Sequence, residues 1–113
     1  MYTVYFYEQK DGKSPIKEFI ENCQVPLRSK INKQIRALQD FGLTLANPYL
    51  RKLTGTPLWE CRILGKDSTR IICAVVIQGK IIILNIFRKK SMKTPAKEIG
   101  LSLKRYHDLT NDI

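Results

Sequence analysis

Two apolar runs joined by a three-residue connection constrain this chain most: TRIICAVVI (69–77), then QGK (78–80), then IIILNIFR (81–88). So short a link lets the second run only double back beside the first, as an antiparallel hairpin. A further run, LWECRIL (58–64), leads into the pair through the turn GKDS (65–68), so the three strands form an antiparallel meander. The last run leaves the sheet in an unusual way. Most strands end in a turn of Gly, Asn or Asp. This one delivers Arg88, Lys89 and Lys90, then Lys93 and Lys97, with no acid before Glu98.

Upstream, YTVYFY (2–7) alternates with a period of two and is rich in aromatics, which predicts another strand. Ser14 then caps, and Pro15 opens, a short helix with Ile16, Phe19, Ile20 and Cys23 on one face. Pro26 starts a longer helix with Leu27, Ile31, Ile35 and Leu38 at helical spacing, and Gly42 ends it. Its other face, Arg28, Lys30, Lys33 and Arg36, reads as solvated. TLANPYLRKLTGTP (44–57) reads as an irregular connector. Thr94-Pro95 repeats the Ser14-Pro15 pattern and opens a last helix with Ile99, Leu103 and Tyr106 inward. The expected order is β-α-α-β-β-β-α. That is an α+β fold: a small antiparallel sheet with helices on one face and the other face open as a binding platform.

A chain of 113 residues can bury one core of its own, and a single domain over residues 1–113 is expected. No apolar run nears the roughly 20 residues of a membrane span. The start, MYTVYFYEQK, lacks the basic region and cleavage site of a signal peptide, so a cytoplasmic protein with no membrane partner is expected. Cys23, Cys61 and Cys73 are odd in number without C-x-x-C spacing, and read as small core residues rather than a disulfide framework or zinc site. The single histidine, His107, argues against an imidazole metal site and against a histidine pair as acid and base. No metal or other cofactor is expected.

The net charge of +10 is unevenly spread. Residues 1–40 hold seven Lys or Arg and five acids, residues 41–97 eleven and two, and residues 98–113 two and three. The central balance of +9 thus falls on the segment read as sheet and sheet exit. A polyanion neutralised by such a face releases condensed counterions, so nucleic acid is the expected partner. Strand alternation sets Glu60 and Arg62 on one side, and Arg70 begins the next strand, near Arg62 and the exit at Arg88–Lys90. Guanidinium forks match phosphate oxygens, which makes Arg62 and Arg70 candidate ligands. Lys93 is a candidate for phosphate, and Phe87 either stacks on a base or packs in the core. Tyr49, Arg51 and Lys52 in the connector are candidates for lining an RNA path. Glu60 either orients Arg62 or Arg70 through an ion pair or forms a structural bridge. Trp59 reads as core and His107 as a structural or surface residue.

These residues, taken in order, carry a likeness. PLWECRI (57–63), the arginine entering TRIIC (69–73), and IFRKKSMKTPAKEI (86–99) resemble the RelE/HigB-type toxins of bacterial toxin–antitoxin systems, in the branch also found in phage. The block F-x-K-K-x-x-K-T-P at Phe87–Pro95 is its most specific part, and the likeness spans most of the chain. The resemblance implies two helices on a small twisted sheet. It implies cleavage of messenger RNA, usually within the ribosome, with inhibition of translation, and a cognate helix-turn-helix antitoxin of the HigA type. Ile86 stands where Gly is common and Cys61 where Leu is common. Unlike members with a histidine-rich site, this chain has no histidine near the motif.

Metal-free RNA cleavage requires the 2′-hydroxyl in line with phosphorus and deprotonated, the phosphorane charge neutralised, and a proton for the leaving 5′-oxygen. Arg70 and Arg62 suit neutralisation. Lys89 and Lys90, in a run of cations that favours the neutral amine, suit proton transfer. Arg88 and Lys93 suit phosphate binding. The same cations equally fit a non-enzymatic RNA- or DNA-binding module, for which they are anchors alone.

Overall fold

The structure is a computed structural model that describes residues 1–65, 68–90 and 92–110. In chain order it contains β1 (Thr3–Phe6), α1 (Pro15–Asn22), α2 (Val25–Phe41), β2 (Leu50–Lys52), β3 (Trp59–Ile63), β4 (Thr69–Ile77), β5 (Lys80–Arg88) and α3 (Ala96–Thr110). β4 and β5 form the expected hairpin, with Gly79 at φ +79° turning the chain, and β3 pairs antiparallel with β4. Of the turn expected at Gly65–Ser68, Lys66 and Asp67 lie outside the described residues. The α+β class holds, and three features differ from the sequence-based picture.

Leu50–Lys52 leave the expected connector to form a short edge strand on β3, pairing Leu50 with Cys61 and Arg51 with Glu60. Three residues are too few for alternation to stand out. At the other edge β1 runs parallel to β5, so the sheet is mixed, in the order β1-β5-β4-β3-β2, and not wholly antiparallel. The long chain between them supplies the crossover that parallel neighbours need. Finally, the helices do not share one face. α1 and α2 pack Ile16, Leu27, Ile31 and Leu38 with Ile71, Ile81 and Ile83. Across the sheet, Ile99, Leu103 and Tyr106 of α3 pack with Leu58, Ile72, Leu84 and Phe87. The cause lies in β4 and β5, which are apolar at nearly every position and so need cover on both faces. Each large side chain left bare would forfeit about 1.5–3 kcal/mol of burial.

An irregularity in β5 locks α3 down. Ile72 faces Asn85 while its neighbour Cys73 faces Ile83, which leaves Leu84 as an extra residue. Such a bulge sends successive side chains to one side and frees backbone groups from the ladder. The Leu84 carbonyl accepts a hydrogen bond from Arg105 Nη1 at 2.7 Å, and the Asn85 amide donates to the Glu98 carbonyl at 3.4 Å. The Arg105 guanidinium lies over the Tyr7 ring at 5.0 Å. Burial there lowers the pKa of Arg105 from its ordinary value.

The helix ends follow the sequence where chemistry was plain. Ser14 Oγ accepts from the Lys17 N–H at 3.3 Å, as an N-cap does. Gly42, at φ +74°, ends α2, and a Cβ there would meet the Tyr2 ring at 2.5 Å. Cys61 and Cys73 are buried and Cys23 half-buried, all three as free thiols. His107 is exposed on α3, edge-on to Tyr106. Among the described residues no helix is long and apolar enough to cross a membrane.

Candidate active site

α3 packs chiefly on β5 and β4. Toward β3 and β2 the same face of the sheet turns polar, because alternation and register bring charged side chains there. Arg62 stands opposite Arg70, and Arg51 opposite Glu60. Like charges directly opposite repel, and an anion laid between them removes that repulsion. The Lys89 N–H donates to the Ser68 carbonyl at 2.9 Å, which holds the exit of β5 against the entry of β4. The result is a cleft of about 560 Å³ whose walls include Tyr49, Arg51, Glu60, Arg62, Arg70 and Lys89, with Met92 exposed at the rim.

Arg70 is half-buried at its centre. Its Nη1 donates to the Thr69 carbonyl at 3.1 Å. Its Nε–H is buried with no hydrogen-bond partner. A buried donor left without an acceptor costs about 1–3 kcal/mol, a cost that a phosphate oxygen relieves once the side chain turns to expose the Nε–H.

Glu60 is buried, and both its oxygens are occupied. Oε1 accepts from Arg51 Nη2 at 3.0 Å, and Oε2 accepts the Thr94 hydroxyl. Of the two readings of Glu60 the structural bridge holds, made with Arg51, and an ion pair with Arg62 or Arg70 is absent. Register puts Arg51 across from it, whereas Arg62 lies two residues further along the same strand. Thr94 departs from expectation. It does not cap α3, whose first turn is closed by the Ile99 N–H on the Pro95 carbonyl at 3.2 Å. Instead its hydroxyl ties the link between β5 and α3 to β3, which makes the far wall of the cleft. The signal for this network lay in Glu60 itself, one of two acids in the +9 segment. An acid retained among so many cations has a cation to hold.

Of the ten residues singled out from the sequence, Arg70, Arg62, Lys89, Arg51 and Tyr49 line this cleft. The other five do not. Lys90 and Lys93 are exposed outside it, and Arg88, opposite Thr69, falls on the α1–α2 side of the strand. Lys52 pairs with Trp59 in register and lies 5.7 Å over its ring, on the side away from Arg51. Phe87 is buried in the α3 core, where no base can reach its ring face. Behind the cleft, on the α1–α2 side, Cys61 donates its thiol hydrogen to Gln34 Oε1 at 3.7 Å. Burial pushes this thiol up to about 12, against the pull of the Arg70 charge, with Glu60 adding to the rise. Among the described residues no three His, Cys, Asp or Glu side chains gather as metal ligands.

Comparison with known proteins agrees with this architecture. No curated protein matches the chain. Among solved structures, the free state of a double arginine-to-alanine mutant of the Escherichia coli toxin RelE matches with a TM-score of 0.64. The match covers 92% of this chain and 96% of that one at 17% identity, so the chain has the RelE fold. A profile of the family described as phage-derived protein Gp49-like (DUF891) matches residues 18–107. That span takes in α2, all the strands from β2 to β5 and most of α3, and the chain belongs to the phage-derived Gp49-like family.

Proposed function

We propose that this protein is an endoribonuclease toxin that cuts messenger RNA on the ribosome and is restrained by a cognate antitoxin of the helix-turn-helix type. The observation that carries this reading is the convergence of Arg51, Arg62, Arg70 and Lys89 on one cleft where, among the described residues, the single lining acid, Glu60, is already occupied by Arg51 and Thr94. The RelE fold and the Gp49-like family support it. In this cleft the scissile phosphate lies between Arg62 and Arg70. The 2′-oxygen attacks phosphorus as the bond to the 5′-oxygen breaks, leaving a cyclic phosphate and a free 5′-hydroxyl. The two guanidiniums neutralise the charge that grows on the phosphorane, and Lys89 passes a proton at the cleft wall. DNA lacks the internal nucleophile and is not cut.

The test is expression without an antitoxin, followed by mapping of RNA ends on programmed ribosomes. Growth arrest with new 5′-hydroxyl ends is expected. Arg70→Ala should slow cleavage by about 10²–10³-fold, or about 2.7–4 kcal/mol of barrier, by analogy with the loss of one oxyanion-hole donor. Its affinity for RNA should fall far less. A folded protein that binds RNA, cuts none and loses affinity with each cation removed would be a binding module instead.

A further inference from the structure

The cleft does not end at Tyr49. We propose that an RNA strand seated in it continues around Tyr49 onto the α2 side of the sheet, where Lys30 and Lys33 bind phosphates and the Gln34 amide meets a base or ribose. This rests on the reading of the cleft as an RNA site.

Tyr49 lines both the cleft and a second hollow of about 210 Å³, walled by Lys30, Lys33, Gln34, Ile63, Leu64 and Gly65. It is a fixed corner. Its N–H donates to Asn47 Oδ1 at 2.9 Å, its carbonyl accepts the Arg62 N–H at 2.8 Å, and its ring packs on the α1–α2 core. A half-exposed ring between two basic hollows suits base stacking, which tolerates any sequence.

The second hollow is prepared for a polyanion in three ways. Gln34 Oε1 is taken by the buried Cys61 thiol, which keeps its proton at ordinary pH and donates it there. The Gln34 NH₂ is therefore left as a donor to whatever enters. Lys30 Nζ packs on Gly65, 2.6 Å from where a Cβ would stand. The ammonium group thus lies against the backbone leaving β3. Among the described residues no acid lines the hollow, and neither Lys30 nor Lys33 has a carboxylate partner. The neighbouring Arg28 is different: it is spent on the carbonyls of Ile20, Glu21 and Cys23 at the end of α1. The basic face of α2 is thus split between a structural arginine and two lysines that continue the cleft.

The experiment is fluorescence anisotropy with 2′-O-methyl RNA, which cannot be cut by its own 2′-oxygen. A trinucleotide that fills the cleft alone is compared with a strand of roughly ten nucleotides, within the range of about 4–16 that single-strand sites span. Replacing both Lys30→Gln and Lys33→Gln should weaken the longer strand about tenfold and lower its salt slope by about 1.4, while leaving the trinucleotide within twofold. Gln34→Leu should also weaken only the longer strand. Equal losses on both strands, or an unchanged salt slope, would overturn the proposal by reducing the lysines to a diffuse field. Failure of the cleft reading has a different signature: Arg62→Ala and Arg70→Ala would then leave trinucleotide binding intact. Because this RNA is not cut, neither result depends on whether the protein is a nuclease.

Discussion

One face of the sheet is divided in two, and the halves are held by different physics. Under α3 it is apolar, with Ile72, Ala74, Leu84 and Phe87 buried against Ile99 and Leu103. Toward β3 and β2 it carries Arg51, Glu60, Arg62 and Arg70 around an open cleft. The α1–α2 side of the same sheet shows no such division across β5, β4 and β3, where Ile83, Ile71, Cys61 and Ile63 form one core. The difference teaches where a site can be built on so small a fold. A helix that covered the whole face would give more burial and no cleft. Here α3 covers the half that needs cover, and the other half is kept rigid by hydrogen bonds and strand register.

The largest expected effect tests the covered half. Leu84→Ala removes a fully buried side chain at the bulge where Arg105 fastens α3. It should destabilise the fold by about 2–5 kcal/mol in urea titrations. If the two halves are independent, cleavage per folded molecule should hardly change. A loss of catalysis well beyond the loss of folded protein would break the division.

The next test concerns the open half. Glu60→Gln keeps the size of the side chain but removes the charge that Arg51 and Thr94 share. Hydrogen bonds to charged groups contribute about 1.5–3 kcal/mol. The exposed side chain of Arg51 puts the expected loss near the lower end, about 1.5 kcal/mol. Cleavage should fall through a higher KM, because the far wall of the cleft loosens while Arg62 and Arg70 stay in register. An unchanged melting temperature would mean that this network holds nothing.

Much of this division was legible in the sequence, and its limits have physical causes. The hairpin, the Ser14 cap, the Gly42 stop and the cationic exit each rest on local chemistry that a reader can weigh residue by residue. The side of the sheet taken by α3 does not. Ile99, Leu103 and Tyr106 announce an apolar stripe without saying which face it meets, and only the unbroken apolarity of β4 and β5 demanded cover on both. β1 could be recognised as a strand, but nothing local sets whether it pairs parallel or antiparallel. In the site, strand parity carried Arg62 and Arg70 correctly to one face. It could not reveal that Glu60 faces Arg51, because β2 is only three residues long. Phe87 shows the same limit, since the sequence left its ring either on a base or in the core, and its burial under α3 chooses the core.

On the closed side, pH offers a finer measurement. The Cys61 thiol ionises near 9.0 when exposed but is pushed up to about 12 in the fold by burial. Between these values the unfolded chain has lost the proton and the native one keeps it, so stability falls as pH rises through that window. The slope is about 1.4 kcal/mol per pH unit for one thiol. Below pH 9 this thiol contributes no pH dependence. Urea titrations from pH 8 upward should therefore show a steeper decline for the native sequence than for Cys61→Ala. Parallel curves would place water at Cys61 and remove the contrast between a dry back wall and an open cleft.

The smallest expected effect separates two adjacent lysines. Lys89 lines the cleft and is pinned through its backbone to Ser68, whereas Lys90 is exposed outside it. Composition cannot distinguish them, and both stand in the same cationic exit. If the cleft boundary is right, Lys89→Gln should lower cleavage by tenfold or more, because a proton-transfer group contributes about 10²–10⁴-fold. Lys90→Gln should leave cleavage within about twofold at moderate salt. Its stability change should stay within about 0.5 kcal/mol, as for most surface substitutions, and in the favourable direction, because one of three neighbouring positive charges is gone. Its only clear mark should be a salt slope for RNA binding shallower by at most about 0.7, the value for one phosphate contact on a single strand. A Lys90→Gln protein that folds normally yet loses tenfold in cleavage would move the boundary of the site outward, and the division of the face would have to be redrawn to include the whole exit of β5.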